Sequence, residues 1–199
     1  MSRQPGERRQ QILQALAQML EEPQPEKITT AALAQRLQVS EAALYRHFAS
    51  KAQMYEGLIE FIEQALFSRI NRIVSEEAQG VRQLYAILTL LLAFAEKNPG
   101  MTRVLVGEAL VHENERLQTR VSQLHDRLEA VLRQSLRIAA SQPASPVPQD
   151  ATAALANALI CFVLGRWHQF ARSGFKRLPT EHWQAQSAWL LPPAEGSTG

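Results

Sequence analysis

A single cysteine, Cys161, is all that 199 residues carry. That excludes an intrachain disulfide framework and a thiolate metal cluster, and it fits a reducing compartment. Alone in an apolar helical run, Cys161 is expected to be a small buried hydrophobe. Net charge is scarce as well. Lys and Arg number 21 against 19 Asp and Glu, leaving +2, so any hold on nucleic acid must come from local placement rather than bulk attraction. The longest apolar run, Ile87 to Ala95, falls far short of the ~20 residues that span a bilayer. The opening Met1-Ser-Arg-Gln-Pro-Gly-Glu-Arg-Arg leads into an amphipathic helix without the apolar segment of a secretory signal. A soluble, cytoplasmic protein with no membrane contact is the expectation.

Reactive constellations are missing too. The sequence holds no phosphate-cradling P-loop, no Rossmann glycine pattern and no Gly-x-Ser-x-Gly. His112, His125, His168 and His182 are scattered, with no two at the spacing of a helical zinc pair. Glu56, Glu60 and Glu63 form an acidic stripe that no histidine or cysteine completes, which reads as a solvated helix face. No catalytic residue, no metal site and no cofactor is expected.

What the chain does have is helix. With 46% hydrophobic and 20% charged residues it is an ordinary globular composition, and almost every periodic stretch repeats at three and four. Ile12, Leu13, Leu16, Met19 and Leu20 make one face of a first helix that should stop near Glu22, before Pro23 and Pro25. Three start signals follow closely. Thr29 is an N-cap with Ile28 and Leu33 as a hydrophobic staple, Ser40 repeats this with Val39 and Leu44, and Ser50 with Gln53 forms a capping box. So many starts in so short a span force short helices at steep angles, the geometry of a helix-turn-helix.

A long helix from Lys51 buries Leu58, Ile59, Ile62, Leu66, Ile70 and Ile73. Val81 to Glu96 is apolar nearly all round (Leu84, Ile87, Leu88, Leu90, Leu91, Leu92, Phe94) and belongs at the centre of a bundle; Asn98-Pro99-Gly100 ends it. Val104 to Leu110 is expected to be a short helix. Glu113 to Ile138 is a long polar one with Leu117, Val121, Leu124, Leu128 and Val131 inward. Ser141 to Gln149, with three prolines, is the one linker. Ala151 to Arg172 and Thr180 to Leu191 supply the last helices. The fold class is all-α.

On the second short helix Leu44 and Phe48 should face the core, leaving Glu41, Ala42, Ala43, Tyr45 and Arg46 outward. Small Ala42 and Ala43 let the backbone approach a major groove, and their methyls suit thymine. Tyr45, His47 and Lys51 can donate to phosphate. Thr29 and Ser40 head helices whose free N–H groups also favour phosphate, and Arg46 is the candidate for a base edge. Short capped helices with exposed Arg and His also occur without any DNA role. Farther along, Phe61, Ala65 and Arg69 stack at four-residue intervals with Arg72 beside them, a strip suited to a short acidic and apolar peptide. From spacing alone a packed phenylalanine beside solvated arginines is the favoured reading. Ala151, Ala154, Leu155, Ala158, Leu159, Phe162, Val163 and Trp167 form a broad apolar band, part of which must pack on its own domain while the remainder, with Trp183 and Trp189, can meet a twofold mate.

The run Leu44-Tyr-Arg-His-Phe-Ala-Ser-Lys51, near the N-terminus and after an amphipathic helix, resembles the DNA-binding domain of TetR-family regulators. That resemblance implies a helix-turn-helix domain at residues 1–51, an all-helical regulatory and dimerisation domain at 52–191, a flexible tail at 192–199, and a homodimer on double-stranded palindromic DNA. Val39 to Phe48, Leu58 to Glu63, Ser68 to Asn71, Lys97 to Leu105, Arg116 to Leu124 and Phe170 to Thr180 resemble the nucleoid-occlusion branch of that family. This implies a nucleoid-associated inhibitor of cell division that engages the C-terminal tail of the tubulin-like protein FtsZ. The positions implied for the tail are Phe61, Arg69, Arg72, Leu90, Lys97 and Asn98. Lys97 stands where an arginine is familiar and loses the planar two-pronged donor; Ala93 stands where a glycine is familiar and adds a methyl. The alternative is a ligand-responsive TetR-type repressor, which would need a roomy pocket with a few polar anchors.

Overall fold

The structure, a computed structural model, describes residues 5–22, 28–143 and 147–191. The expected tail at 192–199, the stop at Pro23 and Pro25, and residues 144–146 of the expected linker lie outside the described residues. Among the described residues the elements are helical with no strand. They are α1 (Pro5–Leu20), α2 (Thr30–Arg36), α3 (Glu41–Tyr45), α4 (Lys51–Glu76), α5 (Gly80–Lys97), α6 (Pro99–Leu105), α7 (Glu115–Ser141), α8 (Thr152–Arg172) and α9 (Trp183–Leu190). Single 3-10 turns lie at Glu108–Leu110 and Gln149–Ala151. Met1–Glu63 with Asn98–Val121 makes one compact unit and Gln64–Lys97 with Ser122–Gly199 the other, so α4 and α7 contribute to both.

In the first unit the helix starts are fixed by side chains. Thr29 Oγ1 accepts from the Ala32 amide at 3.1 Å and Ser40 Oγ from the Ala43 amide at 3.3 Å, each in extended backbone. Ser50 Oγ takes the Gln53 amide at 3.2 Å. The return half of that box is shifted: Gln53 Oε1 accepts from Ala49, one residue before the cap, at 2.9 Å. Ile12 and Leu16 of α1, Leu33, Leu44, Phe48 and Met54 are all buried. A five-residue helix such as α3 has no standing of its own; burial of Leu44 and Phe48 holds it.

Helix α6 departs from the expectation of a helix over Val104 to Leu110. It begins at Pro99, with Asn98 as N-cap, and ends at Leu105; the chain then turns through Gly107 at φ 80° into the 3-10 turn. Proline stops the preceding helix but sits unstrained at the first position of a new one, where no amide donor is needed. The start of α6 is pressed on α1, since a Cβ at Gly100 would lie 1.9 Å from the Ala17 carbonyl oxygen. Arg103 is buried and donates to the Leu20 and Glu22 carbonyls at 2.9 and 2.7 Å, satisfying acceptors that the end of α1 leaves open. Burial pulls its guanidinium below the ordinary arginine value, while Glu108, at 3.8 Å, pushes back.

In the second unit Leu84, Ile87, Leu88, Leu91 and Leu92 of α5 are buried, but Tyr85 is exposed and Leu90 only half-buried, so α5 is not apolar contact all round. A Cβ at Gly80 would lie 2.3 Å from the Ala139 amide, and the buried pair Ser135 Oγ to Gln83 Oε1 spans 3.0 Å. The apolar stripe of α7 runs on through Leu132, Leu136 and Ala139, with Val131 half-buried. Fours and threes mixed, with a four from Leu128 to Leu132 where strict alternation puts Val131, keep a 3.6-period helix on one side. Cys161 is exposed, against expectation: the inward stripe of α8 is Ala156, Leu159, Ile160, Val163, Trp167 and Phe170. Trp183 is buried too, donating from Nε1 to Thr89 Oγ1 at 2.8 Å. It packs on its own chain and is not available to a mate.

Candidate functional site

The residues expected to face DNA lie together in the first unit. Ala42, Tyr45 and Arg46 are exposed, Ala43 and His47 half-buried, while Leu44 and Phe48 point inward. Thr30 ties α2 to α3. Its hydroxyl donates to Glu41 Oε2 at 2.5 Å, and Tyr45 Oη lies 3.5 Å from the same Oγ1. Glu41 thus links α3 to α2. Thr29 and Ser40 keep their hydroxyls on the capping amides.

Lys51 is not the free cation that its place suggests. Its ammonium donates to Glu113 Oε1 and lies 5.7 Å from the centroid of Tyr55. Burial, with Glu113 behind it, holds the Tyr55 hydroxyl above the ordinary phenol range. Glu63 of the acidic stripe is likewise no solvated residue: it is half-buried and its Oε2 accepts from Arg120 at 3.1 Å. Among the described residues no group of three His, Cys, Asp or Glu converges on a metal position.

The positions assigned to a peptide tail divide between the units. Phe61 and Asn98 belong to the first; Arg69, Arg72, Leu90 and Lys97 belong to the second. Phe61 is half-buried on α4. Arg69 is exposed with its Nη1 donating to the Ala65 carbonyl at 2.7 Å, which lays the guanidinium back along its own helix. Arg72 is exposed and pairs loosely with Glu76 at 3.7 Å, a surface contact of small energy. Leu90 is half-buried, Lys97 ends α5 exposed, and the Asn98 carbonyl accepts from the Thr102 amide and hydroxyl at 2.9 and 3.0 Å.

Comparison with known proteins covers both halves of the chain. The model described as bacterial regulatory proteins of the tetR family matches residues 12–58. The model for the tetracyclin repressor-like C-terminal domain of SlmA-like proteins matches residues 78–192. The nucleoid occlusion factor SlmA of Alteromonas mediterranea is 54% identical over 91% of this chain and 92% of its own. That of Idiomarina loihiensis is 53% identical over 94% of each. The chain belongs to the SlmA family, a branch of the TetR family of DNA-binding regulators. The crystal structure of the transcriptional regulator FadR from Bacillus subtilis in complex with stearoyl-CoA matches at TM-score 0.75 and 12% identity, over 92% of this chain and 97% of that one. That likeness is one of fold alone. TetR-family proteins bind DNA as dimers, and no helix among the described residues is long and apolar enough to cross a membrane.

Two residues of this SlmA-family head escaped the sequence reading. Arg9 places its guanidinium 4.2 Å over the Phe48 ring and donates to the His47 carbonyl at 2.8 Å, clamping the turn after α3 to α1. Glu113 holds Lys51. Both partners lie far away in sequence, and neither periodicity nor capping pattern reports such pairs.

Proposed function

We propose that the chain is a nucleoid-occlusion factor: a dimer bound at palindromic chromosomal sites that captures the C-terminal tail of FtsZ and blocks Z-ring assembly over the chromosome. The observation that carries this is the extent of the likeness to SlmA proteins, 54% identity over 91% of the chain. It runs through the regulatory helices, not only through the reading head that all TetR-type regulators share. In this reading Ala42, Ala43, Tyr45, Arg46, His47 and Lys51 meet the duplex, with Arg46 on a base edge and Thr29, Ser40 and Glu41 setting the helix ends. Phe61 and Leu90 offer apolar surface to the tail. Arg69, Arg72, Lys97 and Asn98 supply charge and hydrogen bonds for a peptide carrying acidic groups. The exposed stripe of α8 (Ala154, Ala158, Cys161, Gly165) and Trp189 meet the partner copy. The protein works in the cytoplasm on the nucleoid.

Light scattering of assembling FtsZ tests this. The chain with its selected duplex should suppress the signal. Phe61→Ala and Arg69→Glu should lose that suppression while keeping DNA affinity. Loss of DNA binding by either variant, or undiminished suppression, would contradict the assignment.

A further inference from the structure

The lysine offered to phosphate is occupied. Lys51, the first residue of α4, donates to Glu113, and the side chains of the pair retain 22% and 13% of their exposure. Both charges are largely withdrawn from water, so their attraction is screened less than that of a surface pair. The carboxylate comes from a fixed segment. Glu113 donates its amide to the Leu110 carbonyl at 3.0 Å, and Asn114 next to it accepts from the amides of Arg116 (Oδ1) and Leu117 (carbonyl) at 3.0 and 2.9 Å, opening α7.

A carboxylate and a backbone phosphate oxygen compete for the same ammonium donors. While Glu113 holds Lys51 the pair carries no net charge, and an approaching phosphate meets a carboxylate as well as a cation. A lysine so neutralised adds little to counterion release. A liberated one adds about 0.9 to the slope of log affinity against log salt. We propose that Glu113 is a positioning residue that holds Lys51 in reserve, so that docking on a duplex transfers the ammonium from the Glu113 carboxylate to a backbone phosphate. Glu113 thereby lowers resting affinity for DNA of any sequence. The head engages firmly only where its other contacts are good enough to draw Lys51 away. This rests on the assignment of the α3–α4 face to DNA.

Full-length protein is titrated with a fluorescein-labelled duplex of mixed sequence across a KCl series, because the phosphate contribution is independent of sequence. Glu113→Gln should bind several-fold tighter at low salt, with a slope steeper by about 0.9. Lys51→Gln added to it should abolish that gain. Lys51→Gln alone, leaving Glu113 unpaired beside the duplex, should bind more weakly than the double variant. If Lys51→Gln weakens binding while Glu113→Gln neither tightens it nor changes the slope, Lys51 grips phosphate without competition. The proposal then falls and the DNA assignment stands. If neither variant alters affinity or slope, the face assignment itself is wrong and the proposal falls with it. Should Glu113→Gln fail to fold, the double variant against Lys51→Gln decides: equal affinities overturn the proposal.

Discussion

Arg103 is the residue on which the first unit depends most visibly. A buried guanidinium with carbonyl partners at Leu20, the end of α1, and at Glu22 just beyond it cannot be replaced by a chain of similar length without stranding acceptors. Arg103→Met should therefore cost about 2 to 4 kcal/mol in urea unfolding. A change within about 0.5 kcal/mol, the range of ordinary surface substitutions, would show that water replaces the guanidinium freely. Single residues were also the scale at which sequence reading varied most. The hydroxyls of Thr29 and Ser40 act on amides three residues away, so a local pattern contains their whole geometry. Lys51, Arg9 and Trp183 take partners from elements distant in the chain. The chemistry of Lys51 and Trp183 was legible and their engagement was not, while Arg9 gave no local signal at all. Cys161 was misplaced for a related reason: a helix apolar on several faces does not say which stripe its own domain covers.

At the scale of elements, the contact of α1 with α6 sets the tolerance. Gly100→Ala would drive a methyl into the backbone at Ala17, where no side chain can swing aside. The expected cost is about 3 kcal/mol or more, read as a lowered thermal midpoint together with weakened DNA binding, because α1 underlies the turn after α3. An unchanged midpoint would mean that α6 slides on α1 at little expense. Existence and order of the long helices were readable because their apolar stripes persist over many turns. Boundaries were less so. Asn98-Pro99-Gly100 carries a stop for α5 and a start for α6 in the same residues, and only the stop was read. The stripe of α7 drifts past Val131 to Leu132 because the true period is 3.6, a shift that a few positions do not reveal.

For the whole molecule the account requires a dimer. Helix α8 turns Leu159, Val163 and Trp167 inward and leaves Ala154, Ala158, Cys161 and Gly165 exposed; Trp189 on α9 is 91% exposed. Small side chains on one exposed line allow two helices to approach closely. Ala158→Arg should therefore yield a monomer by sedimentation, with unchanged helix content and no binding to a palindromic duplex. A variant that stays dimeric would place the interface elsewhere. The DNA-reading half of the account was carried by a compact motif and was visible in the sequence. The peptide half was visible only through family resemblance, since Phe61 beside two arginines is by itself an unremarkable helix flank. That second half is the central claim. Its direct test is titration of a labelled FtsZ C-terminal tail peptide into the purified protein, with and without the palindromic duplex it selects from genomic DNA. Saturable binding that Phe61→Ala removes is the predicted result. No binding in either state would contradict the account and leave a TetR-type repressor in its place.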